Sequence, residues 1–208
     1  MEITLTQIGK RFRFEWIFKD IDYQFSKNQR YAILGSNGSG KSTLMKIISG
    51  QLTPTKGEIS FFSNGTNKAI DIDSVYRFVS FAAPYIELIE EFTLTEILDF
   101  HQKFKQFNAD LTTEKIIQLL GFEKSRHKEV RFFSSGMKQR LKLALAICTE
   151  TPLLLLDEPT TNLDSQGATW YRELLLKYGI NRTVIIATNV EEDYIFFCDK
   201  QLNIINYK

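Results

Sequence analysis

Histidine and cysteine are scarce in this chain. Among 208 residues there are two of each, His101 and His127, Cys148 and Cys198. The cysteines form no C-x-x-C pair, and each lies in an apolar run, which fits reduced side chains packed in a core. Two histidines without a cysteine cluster argue against a structural zinc site. A serine-hydrolase triad would need one of them as base, and no G-x-S-x-G accompanies them. An excess of charge is also missing: 26 lysines and arginines face 25 aspartates and glutamates, for a formal net charge of +1. General nucleic-acid binders are usually far more basic, so no nucleic-acid partner is expected. No apolar run approaches the ~20 residues that span a bilayer. Met1-Glu2-Ile3-Thr4 lacks the charged-then-apolar pattern of a signal peptide. The expectation is a cytoplasmic protein that serves any membrane process by docking on a separate chain. Internal repeats, low-complexity tracts and long linkers are absent as well, and the length fits one domain with or without an inserted subdomain.

What is present reads as alternating strands and helices. Ile3 to Ile8 and Trp16 to Phe25 alternate apolar and polar residues in places, as strands do. Arg30 to Leu34 is a short apolar run that leads into a glycine-rich loop, and Lys41 to Ser49 has helical spacing. Gly57 to Phe62 predicts a strand closed by an Asn64-Gly65 turn, and Phe78 to Phe81 a further strand. Thr93-Leu94-Thr95-Glu96 fits a capping box at a helix start. Leu111 to Leu120 predicts a helix stopped by Gly121, and Met137 to Cys148 another. Further on, strands at Leu153–Leu156, Thr183–Ala187 and Gln201–Tyr207 alternate with helices at Ala168–Tyr178 and Glu191–Cys198. Such alternation implies an α/β fold whose parallel sheet is covered on both faces.

Three segments carry chemistry. Gly35-Ser36-Asn37-Gly38-Ser39-Gly40-Lys41-Ser42 matches G-x-x-x-x-G-K-[ST] between a strand and a helix. Its glycines let backbone N–H groups point inward as an anion nest, and the helix N-terminus adds its positive end. Lys41 would then reach the β- and γ-phosphates of a nucleotide, and Ser42 would offer its hydroxyl to Mg²⁺. Leu153 to Leu156 is an apolar run followed by Asp157 and Glu158. A buried strand would hold Asp157 at its C-terminal tip, where ligands bind in open α/β sheets. Asp157 would help hold Mg²⁺ and Glu158 would polarise the attacking water. Phe133-Ser134-Ser135-Gly136-Met137 precedes an apolar helix, either as an ordinary serine cap or as a second helix start that faces phosphate.

At these residues the chain resembles the ATP-binding cassette (ABC) ATPases in order and spacing over essentially its full length. The resemblance implies a P-loop NTPase (RecA-like) core with a small antiparallel β-subdomain, and an inserted helical subdomain at about 85–148 within a single domain spanning 1–208. The ligands implied are ATP and Mg²⁺. The nucleotide contacts implied are Ser36, Asn37, Gly38, Ser39, Gly40, Lys41, Ser42 and Thr43, with Ser42 and Asp157 on the metal. The family's Leu-Ser-Gly-Gly-Gln signature stands here as Phe133 to Met137, so Ser134, Ser135 and Gly136 would bind the γ-phosphate of ATP held by a second copy, in a head-to-tail dimer. Asn162-Leu163-Asp164 is similar to the family's D-loop, which links the two sites. Phe12, 29 positions before Lys41, is similar in placement to the aromatic residue that stacks on adenine, with Phe14 and Trp16 as rivals. Two positions depart from the family. Pro84 falls near the usual glutamine, and Asn189 stands at the usual histidine. Asparagine can hydrogen-bond a phosphate, but it neither carries a positive charge nor shuttles a proton.

The function implied is an ATP-hydrolysing motor subunit, exporter-type by its signature and short chain, that drives a separate transmembrane permease from the inner face of the membrane. Glu158, Lys41 and Asn189 would carry the chemistry. Family members touch their membrane partner near Pro84 to Glu91, where Ile86, Leu88, Ile89 and Phe92 form either a docking patch or ordinary packing, with Glu87, Glu90 and Glu91 at the rim. The alternative is a nucleotide-dependent switch with little or no hydrolysis, motivated by Pro84 and Asn189. The translation and DNA-repair relatives carry a second cassette or a coiled coil, and neither is present. A simple kinase or GTPase lacks the signature, and no Asn-Lys-x-Asp guanine-reading sequence occurs.

Overall fold

Strands β1 (Glu2–Phe12) and β2 (Glu15–Phe25) form a hairpin, and β4 (Lys56–Phe62) pairs with the other edge of β1, giving an antiparallel sheet in the order β2-β1-β4. The register sets Ile3 opposite Phe25 on one side and opposite Phe61 on the other. All three side chains are buried, so the alternation seen in the sequence is the inward face of this sheet. The computed structural model describes residues 1–63 and 69–208, and the expected Asn64-Gly65 turn lies outside them.

The second sheet has the order β5-β6-β7-β3-β8, from β3 (Arg30–Leu34), β5 (Val79–Ala82), β6 (Leu153–Asp157), β7 (Thr183–Thr188) and β8 (Lys200–Asn203). The pairs β6–β7, β7–β3 and β3–β8 are parallel. Every residue of β6 and β7 is buried, which is why these strands read as unbroken apolar runs rather than as alternation. Helix α1 (Lys41–Ile48) follows β3, and its Leu44, Met45, Ile47 and Ile48 join the same core as Ile33, Leu155 and Ile185.

The chain divides into two compact units. One contains Met1–Phe81, Thr151–Glu158 and Asn181–Lys208, and thus both sheets; the other contains Ala82–Glu150 and Pro159–Ile180. The second unit is helical, with α2 (Leu94–Gln102), α3 (Thr113–Leu120), α4 (Ser135–Ile147) and α5 (Ser165–Tyr178). The Thr93–Glu96 capping box is formed in both directions, and Gly121 ends α3 in the left-handed conformation. Trp170 of α5 donates its indole N–H to the Leu119 carbonyl at 2.7 Å. Its ring lies 4.6 Å from the Arg140 guanidinium of α4.

Two expected elements are different. The helix foreseen over Glu191–Cys198 is a single 3₁₀ turn, Glu191–Asp193, followed by separate turns. Asp193 is drawn back onto the Thr188 hydroxyl at 2.7 Å, and this tie bends the chain before a helix can propagate. The strand foreseen over Gln201–Tyr207 ends at Asn203, whose side-chain oxygen accepts from the Ile205 N–H and starts a 3₁₀ turn over Ile204–Tyr207. Neither cysteine is in a disulfide. Cys148 is buried, and burial pushes the Cys198 thiol up to about 12, so it stays protonated and inert.

Candidate nucleotide-binding site

The loop between β3 and α1 is built by close approach. Gly40 sits at φ 104°, and a Cβ there would lie 2.5 Å from Ile17 Cγ2. A Cβ on Gly35 would lie 2.5 Å from Ser39 Oγ. No side chain caps α1, so its first N–H groups face the loop without a protein acceptor of that kind. Ser39 Oγ is buried and finds no hydrogen-bond partner among the described residues. A cradle of glycine backbone, uncapped N–H groups and a spare hydroxyl fits a phosphate chain.

Lys41 is 5% exposed, and its ammonium is held at three points. It donates to the carbonyls of Gly35 at 2.9 Å and Ser36 at 3.3 Å, and lies 3.1 Å from Glu158 Oε1. The structure thus brings together Lys41 and Glu158, which stand far apart in the sequence. Glu158 has φ 45°, left-handed backbone at a residue with a Cβ. The bend is fixed by its own N–H, which donates to the Ala187 carbonyl at 2.8 Å. Strain of this sort persists where the surroundings over-determine it, and functional sites are where it collects. Asp157, one residue before, is wholly buried at the C-terminal tip of β6. Oxygen donors at Ser42 and Asp157 suit Mg²⁺, which takes few protein ligands and shares the rest with phosphate and water. Among the described residues no cluster of three or more His, Cys, Asp or Glu forms a separate metal cage.

Beyond β7, Asn189 extends its amide to Asn37 Oδ1 of the phosphate loop at 3.3 Å. Thr188, buried beneath it, reaches Asp193 Oδ2 at 2.7 Å and Glu158 Oε2 at 3.5 Å. Phe12 ends β1 with 48% of its surface exposed, and Lys10 Nζ lies 5.2 Å from its ring centre. Phe14 is 96% exposed at the hairpin tip. Trp16 lies against Arg11 and Lys19, with ring-centre distances of 5.4 Å and 5.3 Å.

In the helical unit, Ser134 caps α4 by accepting from the Met137 N–H at 3.2 Å. The ordinary serine cap is therefore formed, and the N–H groups of Ser135 and Gly136 open the helix beside it. A Cβ on Gly136 would lie 3.1 Å from the Asn162 carbonyl, which sets how near this helix start approaches the Asn162–Asp164 segment. Asn162 itself is left-handed, at φ 65°. Asp164 caps α5 by accepting from the Gly167 N–H at 2.7 Å. Gln139, buried on α4, donates to the Pro159 carbonyl at 2.8 Å. Near the other departure from the family, Pro84 turns its carbonyl to Lys142 Nζ at 2.8 Å.

Sequence reasoning passed over Asp164 as a cap, although an aspartate just before helical spacing signals one. It also passed over Gln139, Thr188 and Asp193, which no spacing marks, because only the folded chain brings them to their partners.

The sequence profile of the ABC transporter family matches residues 18–161. The ABC transporter ATP-binding protein YybJ of Bacillus subtilis is 33% identical over 200 residues, 95% of this chain and 89% of that protein. The human retinal-specific phospholipid-transporting ATPase ABCA4 is 31% identical over 172 residues, and the match spans 8% of its length. Among solved structures, the ATP-binding cassette MJ0796, a dimer in a post-hydrolysis state with ADP and Pi, has a TM-score of 0.81 at 21% identity, covering 97% of this chain and 93% of that one. An ABC transporter ATP-binding protein from Pyrococcus furiosus gives 0.80 at 22% identity, with 100% of each chain covered. The parallel and antiparallel sheets are those of this P-loop NTPase fold. Among the described residues, no helix is long and apolar enough to cross a membrane. With a family profile across more than half its length and a relative 33% identical over 95% of it, this chain belongs to the ABC transporter family as an ATP-binding ATPase subunit.

Proposed function

We propose that this chain is the motor of an exporter-type ABC transporter. It works as a head-to-tail dimer of two copies and drives a separate transmembrane permease at the inner face of the membrane. The observation that carries the catalytic part is the meeting of Lys41 and Glu158 at 3.1 Å at the mouth of the phosphate loop. Lys41 exchanges the Gly35 and Ser36 carbonyls and Glu158 for β- and γ-phosphate oxygens as ATP enters. Glu158, released from the ion pair, takes a proton from the attacking water. Asn189 hydrogen-bonds the γ-phosphate or holds Asn37 in place, without titrating. Ser42 and Asp157 would hold Mg²⁺, which when bound neutralises charge on the phosphates. Ser134, Ser135 and Gly136 offer the second copy's γ-phosphate a hydroxyl and a helix N-terminus. Phe12, on an exposed hairpin end, stacks on adenine.

The segment from Pro84 to Glu91, with Lys138 and Lys142, lines a hollow of about 760 Å³. Lys138 pairs with Glu90, and Ile89 is 37% exposed at the rim. Its lining mixes apolar residues, such as Ile86, Leu88 and Ile89, with charged ones, and this suits an amphipathic helical segment of the permease.

The test is Mg-ATP turnover by the purified protein beside Glu158→Gln. Wild type turns over measurably, and the variant falls by about 10²-fold or more, the scale of a lost general base. Equal rates in the two proteins would sink the motor reading. That outcome would leave the second reading, a nucleotide-dependent switch, which Asn189 favours because it offers no proton-carrying group where the family has histidine.

A further inference from the structure

Thr188 closes β7 with its side chain fully buried, and its hydroxyl oxygen is the meeting point of three groups. It lies 2.7 Å from Asp193 Oδ2, 3.5 Å from Glu158 Oε2, and accepts from the Val190 N–H at 3.0 Å. Asp193 is 1% exposed, so a carboxylate has been carried into the interior to reach this hydroxyl. Burying such a group is costly unless it is hydrogen-bonded.

A hydroxyl has one proton to give. The short contact to Asp193 takes it, since bonds from hydroxyl to carboxylate are the shorter and stronger kind. At 3.5 Å the Glu158 oxygen is at the outer limit of a hydrogen bond. Thr188 therefore presents an oxygen lone pair toward Glu158. An ionised Glu158 gains little from that lone pair. A Glu158 that has just taken a proton from water gains an acceptor for it: the new O–H donates to Thr188 Oγ1, whose own proton stays with Asp193. The bond to Val190 N–H also closes a tight turn around Asn189, the residue that reaches Asn37. One buried hydroxyl, anchored by one buried acid, thus sets both Glu158 and Asn189.

We propose that Thr188, held by Asp193, is the positioning residue for this chain's hydrolytic step. It stands beside Glu158 Oε2, while Lys41 holds Oε1; it accepts from that carboxyl group once it is protonated, and fixes the turn that aims Asn189. This rests on Glu158 being the general base.

The experiment is steady-state ATP turnover and nucleotide binding for Thr188→Val, Thr188→Ser, Asp193→Asn and Glu158→Gln, with the double variant Thr188→Val/Glu158→Gln. Valine keeps the shape of threonine and removes the oxygen. Thr188→Val is expected to lower kcat about tenfold, by an interaction made only once the base is protonated, and to leave KM for ATP and the Kd for a fluorescent ATP analogue within about twofold. Thr188→Ser, which restores the hydroxyl, returns kcat to within about threefold of wild type. In the Glu158→Gln background the valine change has no further effect, because the two residues act as one unit. Should Thr188→Val fail to fold, Asp193→Asn bears the test through the same split, with kcat reduced and KM kept. The proposal is overturned if Thr188→Val, or Asp193→Asn in its place, keeps wild-type kcat. It is also overturned if serine fails to rescue, or if the valine effect persists at full size without Glu158. A Glu158→Gln protein that turns over like wild type would instead remove the base reading on which the proposal stands.

Discussion

His101 stacks on the Phe107 ring with centroids 5.2 Å apart, and its Nε2 lies 2.7 Å from Thr149 Oγ1. The Thr149 hydroxyl gives its own proton to the Leu145 carbonyl, so Nε2 is the donor in its contact with that hydroxyl. Burial, assisted by the nearby Lys105 charge, lowers its pKa from the ordinary 6.5 to about 4. The unfolded chain protonates this side chain first as pH falls. Stability is therefore intact above about pH 6.5 and is lost progressively down through about pH 4. The loss attributable to this residue is at most about 3 kcal/mol. Denaturant titrations at pH 7 and pH 4.5 should show a smaller drop for His101→Gln than for wild type. An equal drop would mean the ring is not the titrating group. At the same scale, Lys41 and Glu158 were separately legible as motif members, but their pairing was not. Neither motif says what the other does before a nucleotide arrives, and only the fold puts the ammonium against the carboxylate.

Helices α4 and α5 show what elements add. The sequence placed both within a few residues and offered a serine cap before α4 as one of two readings, because capping is local chemistry. It did not show that Gln139 would hold Pro159, or that Gly136 would face Asn162, since those are meetings of elements distant in sequence. The error at Glu191–Cys198 has the same origin, a helical pattern overruled by the tie from Asp193 to Thr188. Gly136 gives the element-scale prediction. A methyl group there must push the Asn162 carbonyl by a few tenths of an ångström or move the helix start. Gly136→Ala should cost about 1 kcal/mol, the low end for overpacking, and lower Tm by about 2–4 °C. It should also reduce turnover more than that loss of stability accounts for. Thermal unfolding beside kcat checks this, and unchanged kcat would detach Gly136 from the site.

For the molecule as a whole, the parallel sheet was readable because it rests on contiguous apolar runs, and the candidate nucleotide site could be named from a glycine-rich loop for the same reason. The partner copy was not readable from composition, and it enters through the signature residues, which bind no phosphate of their own chain in the proposed arrangement. That arrangement makes association depend on the nucleotide. Glu158→Gln with ATP should elute as a dimer and scatter light at twice the mass of the nucleotide-free protein. Monomers that retain bound ATP would refute the head-to-tail pairing. The backbone at Glu158 adds a consequence for how this sequence can change over time. Left-handed φ favours glycine, asparagine or aspartate, yet none of these carries a carboxylate as far as glutamate does. In the proposed mechanism, residues that relax the chain at this position lose the base, and the one that would supply it sits under tension. Relief of the backbone and reach of the carboxylate are therefore opposed at this one position.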